Sequence, residues 1–565
     1  MNPIRINEEF AVSSQLAVSE LQGLKDAGVQ LLVCNRPDGE SAEQIPFSEI
    51  SSAAAELGIE TVNIAFKAGE QTTEDVAALK EILESGKKIH AYCRTGNRSF
   101  CLWAAVQASS GASREELIEK GKSAGIDVSS AISSYYDGKI TEGTKSAKLL
   151  SAEKPLFDIV IVGAGSGGIS VASSLLKRKA KLRIALIDPA ENHHYQPGWT
   201  MVGGGVFDVS STRRKTKDLI PSGVSWIKQE VLGFIPGESL VELDNGQQIA
   251  YQHLIVSPGL TLDWDAVKGL RETLGKNGVT SNYLYELAPY TWELVKELKS
   301  GKAIFTQPPM PIKCAGAPQK ALYLSADHWL KNGVLKNIDI DFHNAGGVLF
   351  GVADYVPALQ SYIDKYQANL RLNHNLVEID GEKKIAYFKS ANEEDSELVA
   401  EEFDMIHVCP PQKAPDFVAN SALAGDGGWM DVDQFTLRHK KFENIWGLGD
   451  VLNTPNAKTM AAVRQQVPVV AQNIYDVMAG REAGKGYDGY GSCPLTVENG
   501  KIVLAEFGYG GKLLPTFPSW LLEGTNPTRL AWILKADLLP PIYWHAMLKG
   551  REWLAAPKNL NEVKN

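Results

Sequence analysis

The chain has 565 residues, 44% of them hydrophobic and 22% charged, enough for several domains with full cores and too apolar for a disordered chain. Its 57 basic and 67 acidic residues give a net charge of -10, which argues against the dense positive face of a nucleic-acid binder. The opening residues Met1-Asn2-Pro3-Ile4-Arg5-Ile6-Asn7-Glu8-Glu9 hold no basic stretch before an apolar core, so no secretory signal is expected. No segment offers the roughly 18 uninterrupted apolar residues of a spanning helix. The six cysteines, at positions 34, 93, 101, 314, 409 and 493, are scattered, unlike those of a secreted disulfide scaffold.

Residues 1–135 alternate strand-like and helix-like runs and predict a small α/β domain. Gln30 to Asn35 reads as a buried strand, closed by the turn Arg36-Pro37-Asp38-Gly39. Thr73 to Leu83 predicts an amphipathic helix with Val76, Leu79, Ile82 and Leu83 on its apolar face, and Thr72 with Asp75 suits a capping box at its start. Lys88 to Tyr92 is a second strand, stopping at Cys93. Cys93-Arg94-Thr95-Gly96-Asn97-Arg98 then leads into a helix-like run from Ser99 to Gln107. A loop of this shape aims backbone N–H groups at the Cys93 sulfur, and Arg94 and Arg98 add positive charge. Both effects stabilise a thiolate, a bound anion or a persulfide. Cys34 and Cys101 read as core residues, and a Cys93–Cys101 disulfide stays open. Residues 136–154, rich in Lys, Ser, Thr and Gly, predict a linker.

From Phe157 a βαβ unit begins. Asp158 to Val162 runs into Gly163-Ala164-Gly165-Ser166-Gly167-Gly168, which fits G-x-G-x-x-G. Gly163 permits the tight turn, Gly165 lets the backbone approach a pyrophosphate, and Gly168 lets helix and strand pack closely. The next strand, Leu182 to Ile187, ends at Asp188, where a ribose is recognised. The dinucleotide could be FAD or NAD. His253-Leu254-Ile255-Val256-Ser257-Pro258-Gly259 and Asn444-Ile445-Trp446-Gly447-Leu448-Gly449-Asp450 look like the second and third flavin motifs of two-dinucleotide-domain flavoproteins, and favour FAD. In that superfamily the acid of the last motif, here Asp450, binds the ribityl region. Between these motifs a second Rossmann unit normally holds NAD(P)H. Here the strand Lys302 to Thr306 meets Gln307-Pro308-Pro309-Met310-Pro311, which lacks the glycines and the free N–H donors of a pyrophosphate site.

At this point the chain resembles the sulfide:quinone oxidoreductases of mitochondria and many bacteria. The matching pieces are His194-Tyr195-Gln196-Pro197-Gly198-Trp199-Thr200, Lys313-Cys314-Ala315-Gly316-Ala317-Pro318-Gln319-Lys320, Thr454 to Thr459, and Tyr487-Asp488-Gly489-Tyr490-Gly491-Ser492-Cys493-Pro494-Leu495, and the likeness covers about residues 155–565. It implies that Cys314 and Cys493 are redox cysteines beside the flavin. Hydrosulfide attacks their disulfide or a sulfur-bridged form of it, one cysteine keeps a persulfide, and the other leaves as a thiolate that passes electrons to flavin and on to quinone. Cys409 reads as a core thiol. Lys458 is either a cation for negative charge on flavin or quinone, or a solvated surface lysine. The stretches Arg529 to Lys535 and Ile542 to Lys549, with a break at Pro540-Pro541, suit helices lying in a membrane interface with basic residues near headgroups, or an amphipathic pair on the core.

The spacing of Cys93 to Arg98 also matches C-R-x-G-x-R of rhodanese-type sulfurtransferases, whereas a tyrosine-phosphatase loop would place arginine where Ser99 stands. The surrounding domain resembles the phosphatase-like sulfurtransferase domain fused to β-lactamase-like persulfide dioxygenases. The expected architecture is α/β: a phosphatase-like domain over 1–135, a flavoprotein with two Rossmann domains over 155–490 with its second domain inserted at about 266–430, and a quinone- and membrane-associating region over 491–565. Cys93 is expected to take sulfur to a small thiol such as glutathione. No metal is expected, and the chain is expected as a homo-oligomer, cytoplasmic and peripherally attached to the inner face of the membrane. The alternatives are a quinone-reducing NADH dehydrogenase and a flavin-bound persulfide sensor.

Overall fold

The computed structural model describes residues 3–7, 9–40, 44–66, 71–124, 126, 128, 131–132, 156–392 and 397–564. The expected linker at 136–154 lies outside the described residues. The chain divides into two compact units, Met1–Leu150 and Ser151–Asn565.

The first unit is built on a five-stranded sheet of β1 (Ile4–Arg5), β2 (Phe10–Ser13), β3 (Leu31–Cys34), β4 (Glu60–Asn63) and β5 (Ile89–Tyr92), ordered β1-β2-β5-β3-β4. All pairs except β1–β2 are parallel. Strand side chains alternate between faces, and both faces are buried. Leu31 and Val33 join Phe10, Phe100 and Trp103 on one side, while Leu32 and Cys34 join Leu24, Ile50 and Tyr92 on the other. Helix α1 (Thr73–Leu83) carries the capping box, with the Asp75 N–H donating to Thr72 Oγ1 (3.2 Å) and the Thr72 N–H to Asp75 Oδ2 (2.8 Å). Helix α2 (Asn97–Ser109) follows Cys93.

In the second unit β6 (Leu156–Val162), α3 (Ser166–Arg178) and β7 (Ile184–Ile187) form the βαβ unit. With β8 (Val224–Ile227), β9 (Val231–Ile235), β10 (Leu240–Leu243) and β11 (Gln248–Val256) they make a sheet ordered β8-β7-β6-β11-β10-β9. A last strand, the short one at Ile445–Gly447, pairs in parallel with the end of β11, so the second and third flavin motifs end side by side next to the glycine turn. A second sheet holds β12 (Val279–Thr280), β13 (Gly301–Gln307), β14 (Ile338–Asn344), β15 (Asn369–Leu372) and β16 (Met405–His407) in the order β12-β16-β13-β14-β15, all parallel. Helix α4 (Ala317–Lys331) follows β13, and α5 (Met460–Met478) follows the third flavin motif. The hairpin β17 (Gly491–Glu498) and β18 (Lys501–Phe507) packs on α4 and on α5.

The expected break at Pro540-Pro541 is absent. Residues 529–545 run on as α6 (Arg529–Ile533), a wider π turn (Leu534–Leu538) and α7 (Leu539–His545). The prolines fall in the first turn of α7, where a missing N–H and a fixed φ are tolerated. This stretch and the residues after it pack on the body of the unit: Lys535 Nζ donates to the Pro197 carbonyl (2.9 Å), Ser173 Oγ of α3 donates to the Leu548 carbonyl (2.7 Å), and Arg178 pairs with Glu552 (2.6 Å). Among the described residues no helix is long and apolar enough to cross a membrane.

Candidate active site

A cavity of about 480 Å³ runs through the second unit, lined among others by Gly165, Ser166, Asp188, Gly259, Gly449, Asp450, Cys314 and Lys458. Its floor is the glycine turn. Gly163 has φ +99°, and a Cβ there would lie 2.5 Å from the Ser257 carbonyl oxygen. A Cβ on Gly168 would lie 1.8 Å from the Gly163 carbonyl oxygen, so β6 and α3 meet only without side chains. At Gly165 a Cβ would meet nothing within 4 Å, which leaves the backbone facing open cavity at the start of α3. The Asp188 carboxylate accepts N–H groups from Ala164 (2.6 Å) and Ala190 (2.7 Å), and burial pushes its carboxyl up. Buried polar atoms on the wall lack protein partners: both amide atoms of Asn282 and Thr200 Oγ1. A glycine cradle, an acid after the second strand and open polar valences fit a dinucleotide of the FAD class.

Further along the same cavity Cys314 on the wall meets the sulfur of Cys493 in the core behind it. Cys314 Sγ and Cys493 Sγ are 3.2 Å apart, both as free thiols, and Lys320 Nζ donates to Cys314 Sγ at 3.0 Å. The Cys493 hydrogen bond and then the Lys320 ammonium hold the Cys314 thiol well below its ordinary range, while Cys493 is pushed well above. Burial pushes the Lys320 ammonium down, but the two sulfurs outweigh it and raise it. Cys314 sits at φ +56°, held by its N–H to the Lys458 carbonyl (2.9 Å) and by the Ala317 N–H to its own carbonyl (2.7 Å). Left-handed backbone at a non-glycine residue costs on the order of 1 kcal/mol and is kept where the surroundings enforce it.

Lys458 is buried rather than solvated. Its Nζ donates to the carbonyls of Asp450 (2.6 Å) and Leu452 (2.7 Å) and lies 3.9 Å from the Trp429 ring centre. Burial pushes it down to about 8, opposed by Asp450. Asp450 is itself pushed up by burial, against the charges of Lys458 and Lys313. Cys409 lies in the apolar cluster against which Cys314 packs, where burial pushes its thiol up to about 12. Lys535 corrects the expectation of a headgroup-facing cation: it is 3% exposed, donates to the Pro197 carbonyl (2.9 Å), and is pushed down to about 7 by burial and by Lys320. The cavity wall behind it is closed by Tyr543, whose hydroxyl meets Ser166 Oγ (2.9 Å) and His193 Nε2 (2.5 Å). Sequence reasoning missed Lys320 and Lys535 as site residues. Lys320 stands six positions after Cys314, in the first turn of α4, a spacing visible in the sequence, whereas Lys535 is brought in from more than 200 positions away with no local signal.

In the first unit Cys93 is buried at the end of β5, and its sulfur accepts the Gly96 N–H (3.2 Å). Arg98 does not stand free. It forks onto Glu40 (Nη1–Oε1 2.8 Å, Nη2–Oε2 2.7 Å) and donates to the Phe66 carbonyl, and Arg36 also reaches Glu40 (3.0 Å). The positive charge expected at this loop is therefore partly answered by a carboxylate. Arg94 is exposed, and Cys93 and Cys101 are both free thiols.

Residues 4–110 match the family model for the phosphatase-like domain of beta-lactamase hydrolase-like proteins, and residues 157–301 match that for pyridine nucleotide-disulphide oxidoreductases. The chain is 41% identical over 448 residues to the mitochondrial sulfide:quinone oxidoreductase of Dictyostelium discoideum, covering 78% of this chain and 97% of that protein. It is 38% identical over 394 residues to the mouse mitochondrial enzyme of the same name, covering 70% of this chain and 87% of that one. In three dimensions it shares the fold of the sulfide:quinone oxidoreductase from Aquifex aeolicus, with a TM-score of 0.57 and 17% identity over 70% of this chain and 91% of that chain. With a thiol pair set beside a dinucleotide cradle and identities of this size across nearly the whole of its relatives, the chain belongs to the sulfide:quinone oxidoreductase family.

Proposed function

We propose that the second unit oxidises sulfide and delivers the electrons to quinone, and that the first unit relays the sulfur. The observation that carries the reading is the buried Cys314–Cys493 pair with the Lys320 ammonium on one sulfur, opening on the glycine-lined cavity. In the oxidised chain the two sulfurs form a disulfide. Hydrosulfide attacks the Cys493 sulfur, the S–S bond breaks, Cys493 keeps the added sulfur as a persulfide, and Cys314 leaves as a thiolate. The leaving group is Cys314 because the Lys320 ammonium stabilises its anion, and because Cys314, not Cys493, lines the cavity where the flavin would sit. A small thiolate then attacks the outer sulfur of the Cys493 persulfide and carries it off, which leaves Cys493 as a thiolate too. Gly163, Gly165, Ser166, Gly168, Asp188, Gly259, Gly449 and Asp450 would hold FAD, which when bound would supply a two-electron carrier between the re-forming disulfide and quinone. Lys458 holds positive charge at the Asp450 end of the cavity.

The quinone is an apolar molecule, and the outer face of the C-terminal stretch supports its delivery from a membrane surface. Trp520 is 82% exposed, and Leu521, Leu530, Ile533 and Leu538 are also exposed, while Phe517, Leu534 and Leu539 line the cavity. Peripheral attachment of this face is part of the proposal. In the first unit, Cys93 accepts sulfur at a loop with a helix N-terminus behind it, and passes it to a small thiol such as glutathione.

Purified protein supplied with sulfide and a short-chain ubiquinone is expected to reduce the quinone, with a thiol or cyanide assisting, and to ignore NADH in a parallel assay. Reduction by NADH alone would overturn the choice of donor, in favour of the NADH dehydrogenase reading. The relay is tested separately: Cys93→Ala is expected to slow persulfide delivery to an external thiol, and an unchanged rate would sink it.

A further inference from the structure

The hairpin β17–β18 has two chemically different faces. Its register sets Ser492 opposite Glu506, Cys493 opposite Ala505 and Pro494 opposite Leu504. Ser492, Pro494, Leu504 and Glu506 line the cavity, whereas Cys493, Leu495, Val503 and Ala505 belong to the core behind it, where the sulfur sits. Glu506 is the acid on the cavity face, and it is only 5% exposed. Its carboxylate accepts the Tyr490 hydroxyl (2.5 Å), the Thr516 hydroxyl and the Thr516 N–H (3.1 Å), and Tyr490 and Thr516 also meet each other at 3.1 Å. Tyr490 and Thr516 line the cavity too, next to Phe517 at its apolar side. Behind the strand, the Tyr355 hydroxyl engages only the Glu506 backbone N–H (3.0 Å) and carbonyl (3.1 Å). Among the described residues no basic side chain forms an ion pair with the Glu506 carboxylate, whose partners are hydroxyls and an amide. The Glu506 carboxyl is thus joined through Tyr490 and Thr516 to a run of hydroxyls along the cavity wall rather than locked in a salt bridge.

Resting on the sulfide:quinone reading, we propose that Glu506, with Tyr490 and Thr516, supplies a proton to the quinone as it is reduced. The balance demands such a group. Hydrosulfide and a thiolate become a persulfide anion and release two electrons and one proton, and the quinone becomes quinol only by taking up those two electrons and two protons, one passing through Glu506 and the other reaching the second quinone oxygen from water. Negative charge building on a quinone oxygen beside Glu506 draws a proton onto the carboxyl and across to that oxygen. Tyr490 and Thr516 then reload the carboxyl from water, with each O–H bond broken on one side re-formed on the other.

The test separates the half-reactions by anaerobic stopped flow. Protein reduced with sulfide is mixed either with a short-chain ubiquinone, which needs protons, or with ferricyanide, which takes electrons alone. In Glu506→Gln, reoxidation by the quinone is expected to fall by on the order of a hundred-fold, with ferricyanide reoxidation and sulfide-driven reduction at wild-type rates. Tyr490→Phe keeps the ring in place and is expected to show a weaker loss of the same quinone-only kind, so the proposal stays testable if the first variant misfolds. Wild-type reoxidation by quinone in both variants overturns the proposal, and so does an equal loss with ferricyanide, which would mark Glu506 as structural. A wild-type protein that fails to reduce quinone at all removes the underlying reading, an outcome distinct from either.

Discussion

The two cysteine sites of this chain share a plan and differ in what surrounds the sulfur. In each, a strand of a parallel sheet leads to a cysteine and a helix begins a few residues later: β5, Cys93 and α2 in one unit, β13, Cys314 and α4 in the other. Cys314 faces a second sulfur at 3.2 Å and a buried ammonium at 3.0 Å. Cys93 receives one backbone N–H, and its nearby Arg98 is held by the carboxylate of Glu40. Moving an electron pair out of sulfur needs two sulfurs that can bond and part, whereas moving a sulfur atom needs only one nucleophile and a good leaving group. On the proposed reading, the surroundings suit redox chemistry at one site and group transfer at the other, although the backbone device is common to both.

That division breaks most visibly with Cys493→Ser. Sulfide-driven quinone reduction is expected to fall by about a thousand-fold or more, while the visible spectrum still reports bound flavin. Cys93→Ala should leave the same rate intact, and a comparable loss there would erase the distinction. Lys320→Met is expected to come next. Lys320 helps hold the Cys314 thiol low, so without it the thiolate forms only at higher pH. The rate near neutral pH should then drop once the thiol rises past the working pH, roughly tenfold for each further unit, and recover as pH increases. A pH–rate profile of single-turnover reduction checks this, and a loss that does not recover at high pH would assign Lys320 to packing instead.

A second contrast lies inside the flavoprotein unit, between the turns after β6 and after β13. The first is closed by glycines whose missing side chains are all used: Gly163 at the turn, Gly168 at the strand–helix contact, Gly165 toward the cavity. Gly168→Ala is expected to force β6 and α3 apart, costing about 2 kcal/mol and lowering the flavin-to-protein ratio of the purified chain. The second turn has prolines and Cys314 in place of glycines, and Pro318 stands in the first turn of α4. This contrast was legible in the sequence because glycine and proline act locally, through φ and through the N–H they permit or remove. The strand ending at Cys93 and the helix Thr73–Leu83 with its cap were legible from apolar patterning and the Thr72–Asp75 pair, which are local too. What was not legible is long-range. Lys535 reads in its own segment as an interfacial lysine, and only packing of the C-terminal stretch on the body brings it to 3% exposure beside the sulfur site. The Pro540-Pro541 pair reads as a break, but the π turn before it sets the prolines at a helix start. Glu40, likewise, is ordinary in sequence and becomes part of the Cys93 site only through the fork to Arg98.

Glu40→Gln gives the smallest expected effect and the finest test of the first contrast. The Arg98 hydrogen bonds hold the Glu40 carboxyl below its ordinary range, with Arg36 assisting, so near neutral pH the carboxylate is charged and offsets both guanidinium groups. Glutamine keeps the shape and removes the charge. An anionic sulfur donor such as thiosulfate should then bind the loop better, and solvent screening at this half-open position limits the gain to about threefold in KM. The rate of sulfur transfer from a neutral donor should not move. The measurement is thiosulfate:cyanide transfer by the full chain, compared with Cys93→Ala as the background. A rise in KM would mean that Glu40 acts by placing the Arg98 fork rather than by neutralising it, and the Cys93 site would then be built, like the Cys314 site, around an active cation.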